Sequence, residues 1–148
     1  MYSDFEFYQD GFYGNLIPME DFPRFASRAS DFIDYYTEGK AEQASDESIL
    51  TLIKKACCAI AEQMYLDEQS KAIAAKSFAA ALSSESGEIK SESVGSWSRS
   101  YATASDYVAK SASMKDSNAS YAAIARQYLA NTGLLYRGGC CGCNYRTV

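Results

Sequence analysis

Histidine is the residue type that this sequence lacks altogether. Histidine is the commonest general base, the usual activator of serine and cysteine nucleophiles and the commonest zinc ligand, so its absence removes the most frequent catalytic arrangements. The sequence also contains no GxxxxGK[ST] phosphate loop and no GxGxxG motif after a strand. We therefore expect a protein that is not an enzyme, with no catalytic residues, no cofactor and no metal ion.

Long apolar runs and basic runs are missing as well. No stretch approaches the roughly 20 apolar residues that a membrane helix needs. The first ten residues, MYSDFEFYQD, have neither the basic region nor the apolar stretch of a signal peptide. No run of Lys or Arg resembles a nucleic-acid patch. The expectation is a protein that stays inside the cell when it is made, away from membranes.

The composition of the 148 residues is that of one globular domain, with 47% hydrophobic and 22% charged residues. Twelve tyrosines favour an interaction protein, because tyrosine is enriched where protein surfaces meet. Charge is uneven: residues 1–50 carry three basic and eleven acidic residues, a net of −8, and the remainder carries eleven basic and eight acidic, a net of +3. These halves either meet head to tail in an oligomer or are solvated helix faces.

Apolar residues at steps of three and four predict two long helices before residue 83. The first spans residues 20–36, with Pro23 tolerated in its first turn and Gly39 as the terminator. The second begins at Ser45 or Asp46, both good N-caps, and continues to about residue 82. The predicted buried stripes are Phe22, Phe25, Ala29, Phe32, Ile33 and Tyr36 in the first helix, and Ile49, Leu52, Ile53, Ala56, Ile60 and Met64 in the second.

Residues 88–101, EIKSESVGSWSRSY, form the one run that reads as extended chain, and they hold the only tryptophan. A period of two with a glycine break predicts a bent strand or a two-stranded hairpin. The alternation puts Ile89, Ser91 and Ser93, then Trp97, Arg99 and Tyr101, on one side, with Val94 and Gly95 interrupting it. A lone hairpin is marginal in water, so helices or another chain should cover it. Trp97 and Tyr101 are either hairpin packing or an exposed anchor, and the predicted interface residues here are Ile89, Val94, Trp97, Arg99 and Tyr101.

The remaining segments complete a mainly α fold, a small helical bundle with one extended loop or β-hairpin between helices and flexible termini. Residues 1–19 are predicted to be an irregular arm whose aromatic side chains dock on the domain or on a neighbour. Residues 102–117 form either a helix or a mobile link, and a last helix runs from Ser117 or Asn118 to a stop at Thr132 and Gly133. The single domain thus divides into arm 1–19, helices 20–82, extended segment 83–102, C-terminal helical part 103–136 and flexible tail 137–148.

Five cysteines occur in two groups. Cys57 and Cys58 are adjacent in the second helix, about 100° apart, so they cannot both face one metal ion, and at least one should be a small core residue. Cys140, Cys141 and Cys143 offer three thiolates but no fourth ligand for a closed zinc site. Reduced free thiols are expected, and a thiol-dependent redox or metal protein remains the more distant alternative.

Three segments resemble the head-tail connector proteins of long-tailed bacteriophages and prophages, also called adaptor or head-completion proteins. They are IPMEDFPRFASRASDFIDYYT at 17–37, IKSESVGSWSRSYA at 89–102 and YLANTGLLYRG at 128–138. The stretches ESVGSWSRSY and TGLLYRG are the most specific parts. The CCGC sequence of the tail departs from the pattern of that family.

The resemblance implies a structural, non-enzymatic protein of the virion, present in the host cytoplasm during assembly. Its subunits would form a ring beneath the portal protein, a dodecamer in the virion and a monomer when isolated, and would dock the next head-closure or tail-completion protein. Genomic DNA would pass through the ring without specific binding. By matching positions, the portal-facing candidates are Leu134, Leu135, Tyr136 and Arg137. The alternative is a small helical binding or regulatory adaptor encoded in a prophage.

Overall fold

The computed structural model describes residues 1–83, 91–94, 97–100 and 117–136, and at 77, 78, 80–83 and in the strands it describes the backbone alone. The predicted fold class, mainly α with a hairpin between helices, is confirmed in these ranges. The elements are α1 (Phe5–Asp10), α2 (Phe22–Thr37), α3 (Glu47–Ser83), β1 (Ser91–Val94), β2 (Trp97–Ser100) and α4 (Ser117–Leu129), followed by a 3-10 turn at Ala130–Thr132.

The ends of the long helices follow the capping chemistry of the sequence. Helix α2 stops where Glu38 and Gly39 adopt left-handed backbone angles, with φ of 56° and 74°. The Gly39 N–H then donates to the Asp34 carbonyl at 2.9 Å, which satisfies a carbonyl that has no partner within the helix. Asp46 caps α3, because its carboxylate accepts from the Ser48 N–H at 2.9 Å and from the Ser48 hydroxyl at 2.7 Å. Both ends lie within two residues of their predicted positions.

Helices α2 and α4 pack against α3, and both run antiparallel to it. The first turns of α2 lie at the level of Glu68, where Arg24 binds that carboxylate, and Ser30 further along α2 contacts Cys57. Helix α4 starts beside Asp67 and ends near the C-terminal end of α2. The core between them is apolar, and its largest fully buried side chains are Tyr8, Phe22, Phe25, Ile33, Ile53, Ile60 and Leu129.

The N-terminal segment is an integral part of this bundle, and the prediction of an irregular, flexible arm is wrong over residues 5–10. Asp4 caps α1 by accepting from the Phe7 N–H at 2.9 Å. The Tyr2 N–H donates to Ser30 of α2 at 3.0 Å, and Ser3 is buried. The predicted docking of the aromatic side chains on the domain is confirmed, because Phe5 and Tyr8 both pack against the ring of Phe22. Burial of these rings offsets the small intrinsic stability of a six-residue helix.

The second half of α3 extends past its neighbours. The helix has 37 residues, a length of about 55 Å at 1.5 Å per residue. In the described part of the chain, its polar contacts with α2 and α4 end at Asp67 and Glu68. Residues 69–76 are exposed except for half-buried Ala74. Residues 69–83 are called the α3 extension from here on.

Two further predictions fall outside the described residues. They are the helix or link at 102–117, of which only residue 117 is described, and the flexible tail at 137–148. The chain on either side of the hairpin is also outside, at 84–90 and from 101 to 116.

Candidate interaction surfaces

The hydroxyl group of Tyr8 joins three parts of the molecule. It donates to the Glu62 carboxylate of α3 at 2.7 Å and accepts from the N–H groups of Leu16 and Ile17 at 3.0 and 3.2 Å. Burial, followed by the bond to Glu62, raises the pKa of Tyr8 to about 12. The phenol therefore stays protonated at neutral pH and holds the segment after α1 against α3.

That segment, residues 11–21, is called the tethered loop. A Cβ atom at Gly14 would lie 2.0 Å from the Tyr8 ring, so the backbone can approach this closely only at a glycine. Tyr13 has a φ of 61°, a left-handed conformation uncommon for a large residue. Its side chain is nevertheless 84% exposed, and Leu16 and Met19 are exposed as well. The loop thus presents three large apolar side chains from a backbone that is held in place.

Other tyrosines also join helices inside the bundle. Tyr121 of α4 donates to Asp67 at 2.7 Å, and burial together with that bond raises the pKa of Tyr121 to about 12. The Tyr2 hydroxyl donates to Asp34, and the Tyr36 hydroxyl accepts from Arg126 at 2.8 Å. The abundance of tyrosine favours an interaction protein, and that stays a prediction. In the described residues tyrosine mostly serves internal packing, and the exposed tyrosines are Tyr13, Tyr35 and Tyr136.

The predicted hairpin is present, and its register decides which residues share a face. Strands β1 and β2 are antiparallel, with Val94 opposite Trp97 and Glu92 opposite Arg99. Paired residues share a face and successive residues alternate, so these four residues lie on one face. Ser91 and Ser93 pair with Ser100 and Ser98 on the other face, which corrects the sequence-based placement of the first two beside Trp97 and Arg99. The in–out alternation of side chains does not continue from β1 into β2, because the chain reverses direction between Val94 and Trp97.

The C-terminal candidates separate by burial. Leu134 belongs to the hydrophobic core, and Leu135 is half-buried against it. Tyr136 is 69% exposed, and its carbonyl accepts from Lys40 after α2. Among the three portal-facing candidates that the structure describes, Tyr136 is the exposed one, because the turn at Gly133, with a φ of 76°, directs the chain back onto the bundle. Arg137, Ile89 and Tyr101 lie outside the described residues.

Both thiols of the first cysteine group are buried, which confirms the prediction that at least one of them is a core residue. The Cys57 thiol lies 3.5 Å from the Ala26 carbonyl and the Ser30 hydroxyl, and the Cys58 thiol lies 3.1 Å from the Ser3 hydroxyl. Burial raises the pKa of both thiols, to about 12 for Cys58. Neither thiol is ionised at neutral pH, so neither is an activated nucleophile.

Charged side chains in the described ranges form surface pairs. Arg24 binds the Glu68 carboxylate through two nitrogens, at 2.8 and 3.2 Å, and Arg28 binds the same group at 3.3 Å. The hydrogen bond from Arg24, supported by both positive charges, lowers the pKa of Glu68. All three side chains are exposed, so their contribution to stability is small and sensitive to salt.

Metal-binding and membrane-spanning features were sought in the described part of the chain. Its cysteine, aspartate and glutamate side chains include no group of three or more that could hold a metal ion. None of its helices combines the length and apolar character that crossing a bilayer requires. Cys140, Cys141 and Cys143 lie outside this part.

Comparison of this chain with protein-family models, with curated proteins and with solved structures finds no match. The surfaces available for a functional argument are therefore those seen in the geometry: the hairpin, Tyr136, the tethered loop and the α3 extension. The sequence pattern did not predict the tethered loop or the α3 extension as exposed surfaces. A signal for the loop exists in the sequence, because residues 1–23 contain five acids, no base and seven aromatic residues. The exposure of Tyr13, Leu16 and Met19 is seen only in the tertiary structure.

Proposed function

We propose that this chain is a structural head-tail connector of a long-tailed bacteriophage or prophage. Its subunits assemble as a ring under the portal, lengthen the DNA channel and dock the next closure or tail protein. The protein resides at the head-tail interface of the virion and in the host cytoplasm during assembly. The proposal assigns it no enzymatic activity and no cofactor.

The observation that carries the proposal is the hairpin between α3 and α4. Its eight strand residues lie in the segment ESVGSWSRSY, or beside it, where the resemblance to connectors is most specific. The two strands pair only with each other among the described elements, so each has an outer edge on which a neighbouring chain can add a strand. Two-stranded hairpins gain stability from such cover. A subunit whose hairpin is completed on assembly suits a ring component.

The net charge is consistent with a channel lining. The net charge of −5 gives a surface that does not neutralise phosphates, and phosphate neutralisation supplies most of the affinity for DNA. A ring of such subunits lets DNA slide through. A closed ring with one kind of contact needs two different complementary patches on every subunit.

The direct test is to mix the purified protein with rings of a portal protein from the same phage or prophage. Sedimentation and electron microscopy should show a second ring on the portal. Trp97, the only tryptophan, is an internal reporter, and its fluorescence should change as the ring forms. A chain that remains monomeric and ignores the portal rings contradicts the proposal and favours a small helical prophage adaptor instead.

Tyr136 provides a second arm of this test, with Tyr35 as its matched control. Both side chains are exposed, at 69% and 81%, but only Tyr136 lies in the segment that resembles the portal-facing end of connectors. Tyr136→Ala should weaken portal binding at least about tenfold, about 1.4 kcal/mol, because aromatic anchors dominate interface energies. Tyr35→Ala should leave it unchanged. Equal effects of the two changes would remove the C-terminal segment from the portal interface.

A further inference from the structure

The two strands of the hairpin differ in the residues that they place on each face. On one face Glu92 of β1 is paired with Arg99 of β2, and Val94 of β1 is paired with Trp97 of β2. On the other face the strand residues, at positions 91, 93, 98 and 100, are all serine. One strand therefore offers an acid and a small apolar residue, and the other offers a base and a large aromatic residue.

Both strands have an outer edge that is unpaired among the described elements. Such an edge presents a row of backbone N–H and C=O groups to which another strand can bond. A hairpin of two strands without further cover is marginal in water, so an added strand stabilises it. The hairpin can therefore accept one strand beside β1 and another beside β2.

The ring proposed above restricts which edges can meet. Every subunit of a ring beneath the portal presents the same end to it, so neighbouring copies are related by a rotation about the ring axis. A rotation leaves all hairpins pointing in the same direction, and the edge of β2 then meets the edge of β1 in the next copy. That contact is antiparallel, because β1 and β2 are antiparallel within each hairpin. Pairing of β2 with β2, or of β1 with β1, would turn the neighbouring copy upside down.

Charge selects the register of that contact. When β2 lies level with β1 of the next copy, all the residues of both strands are paired, and Arg99 lies opposite Glu92 of that copy. Opposite charges directly across two strands are favourable, and like charges are not. A shift by two residues, the smallest that keeps the same residues on each face, loses half of the pairs and places Arg99 opposite Val94 or beyond the end of β1. The level register repeats between copies the pairs that join the strands within one copy.

We propose that the hairpins of successive copies join edge to edge, with β2 of one copy paired with β1 of the next, into one antiparallel sheet around the ring. The occupant of each open edge is the hairpin of a second copy of this chain. From strand to strand, acids alternate with bases and valine alternates with tryptophan on one face, and the other face is serine throughout. The inference rests on the proposed ring and names the two complementary edges that its heterologous contact needs.

Disulfide formation between two variants tests the pairing. Both variants carry serine at positions 140, 141 and 143, so that their remaining natural thiols, Cys57 and Cys58, are buried. One variant also carries Ser98→Cys and the other Ser93→Cys. Opposite residues of antiparallel strands have Cα atoms about 4.5–5.5 Å apart, within the roughly 4.4–6.8 Å that a disulfide spans. An equimolar mixture assembled on portal rings and oxidised should give dimers joined through positions 93 and 98, as mass spectrometry shows, and neither variant alone should crosslink.

A charge swap tests the register. Glu92→Arg/Arg99→Glu keeps opposite charges paired within each hairpin and between two copies of the variant, so the variant should form rings as the wild type does. Beside a wild-type copy it places two acids or two bases opposite each other, so each junction should favour copies of one kind by about fivefold. Energy transfer between labelled variant and labelled wild type measures this preference. Asp31→Lys/Lys76→Asp, which exchanges two exposed charges outside the hairpin, is the matched control and should mix freely with the wild type.

Several outcomes overturn the inference. Crosslinked dimers of the Ser98→Cys variant alone would indicate β2 beside β2, and a mixture on portal rings without the disulfide between 93 and 98 would exclude the contact. A swap variant that mixes freely with the wild type would exclude the register. If rings form on the portal without the disulfide, only this pairing fails. If the wild type ignores the portal, the connector function fails, and crosslinking of the concentrated mixture without portal then decides the pairing by itself.

Discussion

The hydroxyl group of Tyr8 bonds to two other segments of the chain. It accepts from the N–H groups of Leu16 and Ile17 in the tethered loop and donates to the carboxylate of Glu62 in α3. At the scale of single residues, this bundle is held by aromatic side chains that are apolar in the ring and polar at the tip. The ring packs in the core, and the hydroxyl group satisfies backbone or carboxylate groups at its edge. The same arrangement recurs for Tyr121 with Asp67.

Replacing Tyr8 by phenylalanine should destabilise the protein although the ring is kept. Two backbone N–H groups lose their acceptor and Glu62 loses its donor, so the expected cost is about 1–3 kcal/mol. Urea unfolding measures the difference. Tyr35→Phe is the control, because that side chain is 81% exposed and its change should stay within about 0.5 kcal/mol. Equal stabilities of the two variants would show that the loop does not depend on the Tyr8 hydroxyl group.

Alkaline pH should weaken the fold through the same phenols. Burial and carboxylate partners raise the pKa of Tyr8 and of Tyr121 from the ordinary 10.0 to about 12. Because the folded state favours the protonated phenol, this contribution is complete below about pH 10 and is lost as the pH rises to about 12. The free energy of unfolding should fall over that interval, and less steeply in Tyr121→Phe than in Tyr35→Phe. Identical slopes would contradict the assignment.

Thiol chemistry should distinguish the two cysteine groups. In a variant with serine at positions 140, 141 and 143, only Cys57 and Cys58 remain. Both are fully buried with raised pKa values, so a thiol reagent at neutral pH should label neither in the native protein and both in urea. Rapid labelling of the native variant would mean that the helix interface around them opens easily.

At the scale of elements, helix α3 has two parts, one that contributes to the core and one that does not. Up to Glu68 it carries the core residues Ile53, Ile60 and Met64, whereas residues 69–76 are exposed apart from half-buried Ala74. Alanine-rich composition supports the helix here without tertiary packing, but an isolated helical segment of this length is marginal in water.

Hydrogen exchange should therefore divide α3 in two. In dilute monomer, the amides of residues 69–83 should exchange with opening free energies near zero, and those of residues 53–64 with values close to that of global unfolding. Mass spectrometry of the intact chain at several times resolves the two segments. Uniform protection along α3 in the monomer would contradict an uncovered extension.

The hairpin is the other element with a specific test. Trp97→Ala should leave the helical circular dichroism almost unchanged yet reduce ring formation on the portal, because Trp97 lies in a strand of the hairpin and not in a helix. Ser98→Ala, on the opposite face of the same strand, is the matched control and should assemble normally. Unfolding of the Trp97→Ala monomer would make Trp97 a core residue and end its assignment to the interface.

At the scale of the whole molecule, the structure shows where some of the unevenly distributed charged side chains lie. Arg24 and Arg28, two of the three basic residues in the first fifty, both bind Glu68, and Arg24 also lies 3.9 Å from Asp21 at the end of the tethered loop. The basic residues Lys71 and Lys76 lie on α3, and Lys71 follows the acids Asp67 and Glu68 by about one turn. The head-to-tail contact that the uneven charge suggested stays a prediction.

The sequence by itself determined the elements of this protein. Side-chain periodicity, the cap at Asp46, the glycine after α2 and the alternation around Trp97 are local signals, so they predicted the long helices and the hairpin within two residues where the structure describes them. The short helix α1 was missed because six residues give little periodic signal, and its stability comes from rings that pack on Phe22.

Only the tertiary structure decided which side chains face outward. Leu134 and Tyr136 are both apolar or aromatic residues of one short segment, yet the first is in the core and the second is exposed. Tyr8 and Tyr13 are also close in sequence, yet Tyr8 is buried and Tyr13 is exposed. These differences depend on contacts between residues distant along the chain, such as Tyr8 with Glu62 and Tyr121 with Asp67, and local pattern carries no information about such distances.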